Sequence, residues 1–338
     1  MSESMIRNIL VTGGGGQLGI ELARAARPAG YAVHALDRAA LDLTDTDAIA
    51  AKLAERPWAA VINGAAYTAV DKAESDQVTA WAVNAMAPAA FAQGCAAAGI
   101  PIVQVSTDYV FAGDKDGAWE VNDPVAPLGV YGASKLGGEL AVRTSGARHA
   151  IVRTAWVVSA HGNNFVKTML RVGATRDELG VVGDQRGSPT SAADLAAALL
   201  AIAVRLIEDD AAPTGTFHFS NAGAVSWAGF ASEIFAQSGA RGGAVANVKP
   251  IITADYPTPA QRPANSLLSH DAIRDAYGIA PRPWQDALSD ILDIRWDDAQ
   301  SAAALKIRLL EKLETLSALT SAGPLSLDDI RDFFQDFL

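Results

Sequence analysis

The sequence predicts an α/β protein built on a doubly wound parallel sheet, and three observations carry that expectation. Short apolar runs recur between Ala-rich helical stretches along the first half of the chain. The runs are continuously apolar rather than alternating, as strands are when helices cover both faces of a sheet. The first run leads straight into a glycine cluster that opens a helix.

Taken in order, the predicted strands are "NILVT" at 8–12, "AVHALD" at 32–37, "AAVIN" at 59–63, "PIVQVST" at 101–107 and "AIVRTAW" at 150–156. Beyond Trp156 the rhythm breaks, and "GDQRGSPT" and "DYPTPAQRPANS" read as loops folding over a site. One further run, "GTFHFSN" at 215–221, is expected to return to the main sheet. The longest apolar run, from Leu195 to Val204, is bounded by Asp194 and Arg205. It is too short to cross a bilayer and reads as a buried helix.

A chain of 338 residues, 50% hydrophobic and 19% charged, can bury a core large enough for two domains. Lys and Arg total 27 against 38 Asp and Glu, a net charge of −11, with no basic block interleaved with aromatics, which disfavours nucleic acid as a partner. Nothing suggests a membrane partner, and the start "MSESMIRNIL" lacks a long apolar segment. The single cysteine, Cys95, cannot make an internal disulfide and reads as a small buried residue, so a cytoplasmic location is expected. His161 and His218 read as loop and core histidines, since no metal-like spacing surrounds them.

Three motifs carry chemistry. In "VTGGGGQLG", Gly13, Gly16 and Gly19 stand at Gly-x-x-Gly-x-x-Gly spacing, with Gln17 and Leu18 in the same turn. Such a turn lets a pyrophosphate approach the backbone and rest at a helix N-terminus, the dinucleotide site of a Rossmann-type sheet. Asp37 ends the second strand, where a carboxylate accepts from a ribose 2′-hydroxyl, and Arg38 beside it can pair with a 2′-phosphate, so use of both NADH and NADPH is expected. Asp42 and Leu43 stand where an adenine ring would be capped, with Asp42 equally readable as a turn or helix-capping residue.

"VSTDYVF" places Ser106, Thr107, Asp108 and Tyr109 at the carboxyl end of the fourth strand, where ligands bind in open α/β sheets. "YGASKLGGE" puts Tyr131 and Lys135 four residues apart, on one helix face. A fixed ammonium beside a phenol favours the phenolate, which would make Tyr131 an acid usable near neutrality. Taken alone, that spacing is commonplace on surface helices; its neighbours give it meaning.

These stretches, with "NGAAYTAVDKAESD", "RTAWV", "NNFVKTML", "GDQRGSPT" and "RPANS", resemble the extended short-chain dehydrogenase/reductases, and within them the dTDP-4-dehydrorhamnose reductase family. The resemblance runs to about Trp296. It implies reduction of the C4 ketone of dTDP-4-dehydro-L-rhamnose by NADPH or NADH, with Tyr131 as general acid, Lys135 tuning it and holding the nicotinamide ribose, and Thr107 bonding the substrate oxygen. It also implies that Asn63, Ala65, Ala66, Tyr67 and Asn84 lie along the cofactor, and that Asp108, Tyr109, Trp156, Asn164, Arg262 and Asn265 contact the dTDP-sugar. Residues 1–157 and 190–222 are then the dinucleotide-binding domain, and 158–189 with 223–296 the substrate-binding region.

Some relatives hold Mg²⁺ with several glutamates. Only Glu21 matches that pattern, and Ala192, Ala193 and Asp194 follow "GSPT", so Mg²⁺ is doubtful here and no metal ligand is assigned. A regulatory subunit like the β subunit of methionine adenosyltransferase resembles the same family and is the alternative reading.

Residues 297–338 fall outside the resemblance and read as a helical extension. Leu305, Leu309, Leu313 and Leu316 form one stripe; Ser326 and Asp329 a capping box; Leu327, Ile330, Phe333, Phe334 and Phe337 a second apolar face. That face would cover its own body, a partner, or a second copy in a homo-oligomer.

Overall fold

Continuously apolar strands can pack on both faces only in the middle layer of a three-layer structure, and they do so here. The structure, a computed structural model, describes residues 6–295 and Asp297. Strands β1 (Arg7–Thr12), β2 (Tyr31–Leu36), β3 (Trp58–Asn63), β4 (Ile102–Thr107) and β5 (His149–Thr154) form one sheet with a sixth strand, Gly215–His218. All pair in parallel, in the order Gly215–His218, β5, β4, β3, β1, β2. The order reverses beside β1, so a crevice opens where the strand ends diverge.

The fifth predicted run proved too long. β5 stops at Thr154 because Trp156 has φ of 50°, a left-handed conformation no strand can carry.

One face of the sheet is covered by α1 (Gln17–Arg24) and the helix Ala192–Glu208, which carries the long apolar run. Its Leu195, Leu199, Ile202 and Leu206 are fully buried with Ile9, Val11 and Val152. Ser191 caps that helix, its Oγ accepting from the Asp194 amide. On the other face the helices Thr46–Ala54, Ala87–Ala98 and Val130–Thr144 pack against Leu10, Val61 and Ile151, and Cys95 is buried among them. His218 is a core histidine, fully buried, while His161 lies in a bend.

The irregular part of the chain builds a smaller layer. Glu178–Val182 pairs in parallel with Asn247–Ile251, and their Leu179 and Val181 pack under the helices Phe165–Gly173 and Trp227–Ala240. Short ladders, Val157–Val158 with Thr190–Ser191 and Arg186–Gly187 with Val225–Ser226, fasten the loops near the sheet's carboxyl edge. The described residues up to Ile291 form one compact unit. Among the described residues, no helix is long and apolar enough to cross a membrane. The helical extension expected from Leu305 to Phe337 lies outside the described residues.

Candidate active site

The glycine cluster turns the chain sharply between β1 and α1. Gly13 takes φ of 80°, its carbonyl accepts from the Gly16 amide at 2.9 Å, and the Gly14 amide donates to Leu36 O at 2.7 Å. A Cβ on Gly19 would lie 2.1 Å from Gly13 O, so helix and turn touch backbone to backbone. Gly16 is the N-cap of α1 and offers no side-chain acceptor. The first amides of α1 therefore open into a cleft of about 1090 Å³ that runs from this turn to the end of β4.

Of the residues expected along the dinucleotide, Gly13, Gly16, Gln17, Leu18, Asp37, Arg38, Asp42, Leu43, Ala65, Ala66 and Tyr67 line this cleft. Asp37 Oδ1 accepts from the Ala40 amide at 2.9 Å. Asp42 is a turn residue: its Oδ1 accepts from Thr44 N and Oγ1, both at 2.9 Å, while Asp45 caps the helix that follows.

Asn63 and Asn84 do not line the cleft; they hold its wall from behind. Asn63, fully buried, accepts from Thr12 Oγ1 at 2.5 Å and donates to Gln104 Oε1 at 2.8 Å. Asn84 accepts from the Tyr67 amide at 2.8 Å and donates to the Tyr67 carbonyl at 3.1 Å, clamping that backbone. Buried amides bond in this way because an unpaired one would be costly.

At the far end, Thr107, Asp108, Tyr109, Tyr131, Lys135 and Trp156 meet. The helix Val130–Thr144 has glycine at its N-cap, and Glu74 supplies the missing acceptor, taking the Val130 amide at 2.9 Å. Tyr131 lies against Tyr109 edge to face, ring centroids 5.4 Å apart. Burial pushes the Tyr131 phenol up to about 12, although the Thr107 hydroxyl pulls the other way. This corrects the expected direction: desolvation outweighs the Thr107 hydrogen bond. Burial also pushes Lys135 down to about 8 against the raising charge of Glu139, and its Nζ donates to the Val105 carbonyl at 2.6 Å. Asp108 is pushed up to about 6 by burial, and its Oδ2 is buried without a hydrogen-bond partner.

Trp156 stacks on Trp227 with centroids 3.6 Å apart, and both line the cleft. Trp227 was not anticipated; an aromatic that opens a helix after an irregular loop carries little signal of its own. Asn164, Arg262 and Asn265 stand outside the cleft lining. Asn164 caps the helix Phe165–Gly173 and donates to Gln17 Oε1 at 2.9 Å, tying that helix to α1. Arg262 pairs with Asp71 at 2.7 Å while its second terminal nitrogen is buried without a partner. Asn265 donates to the Lys115 and Gly117 carbonyls at 2.8 and 2.6 Å and so fixes a loop.

Glu21 accepts from Ser159 Oγ at 2.8 Å, and Asp194 pairs with Arg282 at 2.9 Å. Among the described residues, no group of three His, Cys, Asp or Glu is placed to hold a metal.

A six-stranded parallel sheet with a glycine turn at its switch point, and a Tyr-x-x-x-Lys helix beside it, is the architecture of the extended short-chain dehydrogenase/reductases. The family model described as the RmlD substrate binding domain matches residues 7–295, and the chain belongs to that family. It is 44% identical over 287 residues to a dTDP-4-dehydrorhamnose reductase of Burkholderia thailandensis, covering 83% of this chain and 96% of that one. A Sinorhizobium fredii reductase of the same name is 42% identical over 280 residues, 82% of this chain and 94% of the relative. The solved structure of a Bacillus anthracis dTDP-4-dehydrorhamnose reductase in complex with NADP superposes with a TM-score of 0.78 at 36% identity, over 85% of this chain and 99% of that one.

Proposed function

We propose that the protein reduces the C4 ketone of dTDP-4-dehydro-L-rhamnose to the alcohol of dTDP-L-rhamnose, using NADPH or NADH. The observation that carries this reading is the meeting of Thr107, Tyr131 and Lys135 at one end of a cleft whose other end is an uncapped, glycine-lined helix N-terminus. That open N-terminus fits a pyrophosphate, and Asp37 with Arg38 fits either form of the adenosine ribose. The reduced dinucleotide supplies the hydride, which forms the new C–H bond at C4 as the carbonyl π pair moves to oxygen. Tyr131 gives its proton to that oxygen, Thr107 orients it by a hydrogen bond, and Lys135 holds charge beside the phenol.

Asp108 and Arg262, each with a buried polar atom lacking a partner, are proposed to meet the sugar hydroxyls and the diphosphate, and Tyr109 and the Trp156 face to pack on the sugar nucleotide. Asn63, Asn84, Asn164 and Asn265 act by holding the walls. The dinucleotide domain is proposed as 1–157 with 190–222, and the substrate region as 158–189 with 223–296. Self-association through residues 297–338 and a cytoplasmic location belong to the same proposal.

The direct test is incubation with dTDP-4-dehydro-L-rhamnose and NADPH, following loss of NADPH absorbance and identifying the product by NMR. No NADPH oxidation or NADH oxidation at saturating substrate would overturn the reading.

A further inference from the structure

One buried cluster lies directly behind the reactive end and takes no part in the chemistry above. Glu139 follows Lys135 by one helical turn, so Tyr131, Lys135 and Glu139 form a single stripe on the helix Val130–Thr144. Its side chain is fully buried. Arg153 of β5, itself 1% exposed, grips it with two hydrogen bonds, Nε to Oε1 at 2.8 Å and a terminal nitrogen to Oε2 at 2.7 Å. Arg143 adds a third at 2.8 Å, and Ser106 of β4 donates its hydroxyl to Oε1 at 2.6 Å. Ser106 immediately precedes Thr107. The carboxylate therefore fastens the Tyr131 helix to the strand that presents Thr107, and to the neighbouring strand.

We propose that Glu139 is a positioning residue for this site: its carboxylate sets the distance between the Tyr131–Lys135 helix and Thr107 through Ser106, and it places a negative charge one helical turn from Lys135 on the same face. The proposal rests on the reductase reading.

A buried lysine loses its proton readily unless an opposite charge stands nearby, and Glu139 is the group that raises Lys135 against its desolvation. The charged and titratable groups around the pair are Tyr131 and Arg143 on the same helix, Asp108 just past β4, Arg153 on β5 and His218 on the sixth strand. Burial and Arg153 push His218 down to about 3, so it stays neutral through the working range. The strong geometry is what a buried ion pair requires, because removal of one partner strands the other.

The test is the pH profile of kcat/KM for NADPH-dependent reduction in the wild type, Glu139→Gln, Glu139→Asp and Ser106→Ala. In Glu139→Gln the alkaline limb should move down by about one pH unit, the usual size of effect when one close opposite charge is lost. Glu139→Asp keeps the charge and should return the limb to the wild-type position, while its shorter side chain lengthens the tie to Ser106 and lowers kcat. An ion pair serving stability alone would lower the denaturation midpoint of Glu139→Gln and leave the limb in place, which overturns the proposal. Should Glu139→Gln fail to fold, Ser106→Ala decides: it cuts the tie and leaves the ion pair whole. A several-fold fall in kcat with KM for NADPH unchanged supports the proposal, and an unchanged kcat overturns it. A wild type without reductase activity would sink the reductase reading itself.

Discussion

The Lys135 ammonium lies 2.6 Å from the Val105 carbonyl oxygen, two residues before Thr107 in the same strand. That bond fixes the amine on the strand side of the cleft, where burial holds its pKa near 8. Lys135→Ala removes both the contact proposed for the ribose and the charge proposed to act on the phenol. NADPH should bind at least about tenfold more weakly, the equivalent of one charged hydrogen bond, and kcat should fall as well. Fluorescence titration with NADPH measures the first and steady-state assays the second. Wild-type affinity in this variant would remove Lys135 from the dinucleotide contacts.

Tyr131→Phe separates chemistry from packing. The Tyr109 contact is made by the ring, edge to face at 5.4 Å, and phenylalanine keeps it. Turnover should drop by about 10²–10⁴-fold, the usual contribution of a positioned acid, with NADPH affinity within about twofold of wild type. Near-normal turnover would show that the proton comes from elsewhere.

The sheet was legible because its strands are unbroken apolar runs, a pattern imposed by helices on both faces. What escaped was set by partners distant in sequence. Trp156 leaves the strand with φ of 50° and stacks on Trp227, a partner that periodicity does not record. Asn63 and Asn84, expected along the cofactor, stand instead outside the cleft lining as the bracing behind it, since their amides are already satisfied by Gln104 and by the Tyr67 backbone. The Tyr131 phenol went up rather than down because desolvation is a property of the folded environment. An arginine inside "AIVRTAW" was a signal left unused: a charge in the middle of a buried strand demands a partner, and Glu139 is that partner.

Cofactor choice should turn on Asp37. Its carboxylate lies in the cleft beside Arg38 and also accepts from the Ala40 amide. Asp37→Asn retains an acceptor for that turn while removing the charge, and Asp37→Ala removes both. Each should raise the NADPH to NADH ratio of kcat/KM by about tenfold or more, because a carboxylate repels a 2′-phosphate. An unchanged ratio in both variants would place the ribose elsewhere.

Asp108 makes a stability prediction whose sign is opposite to that of most carboxylates. Its carboxyl is 3% exposed, its Oδ1 accepts from Thr107 Oγ1 at 3.0 Å, and its Oδ2 has no partner. Burial lifts its pKa from 3.8 to about 6. Between those values the folded chain keeps a proton that the unfolded chain has released, so this group's contribution falls as pH rises through the window and is constant above it. Two pKa units correspond to about 3 kcal/mol. Asp108→Asn cannot ionise, and its unfolding free energy relative to wild type should therefore rise by roughly that amount between pH about 4 and about 7. Urea denaturation at a series of pH values measures it. Parallel curves for the two proteins would mean that water already reaches Oδ2, and the case for a sugar hydroxyl completing that atom's hydrogen bonding would fall with it.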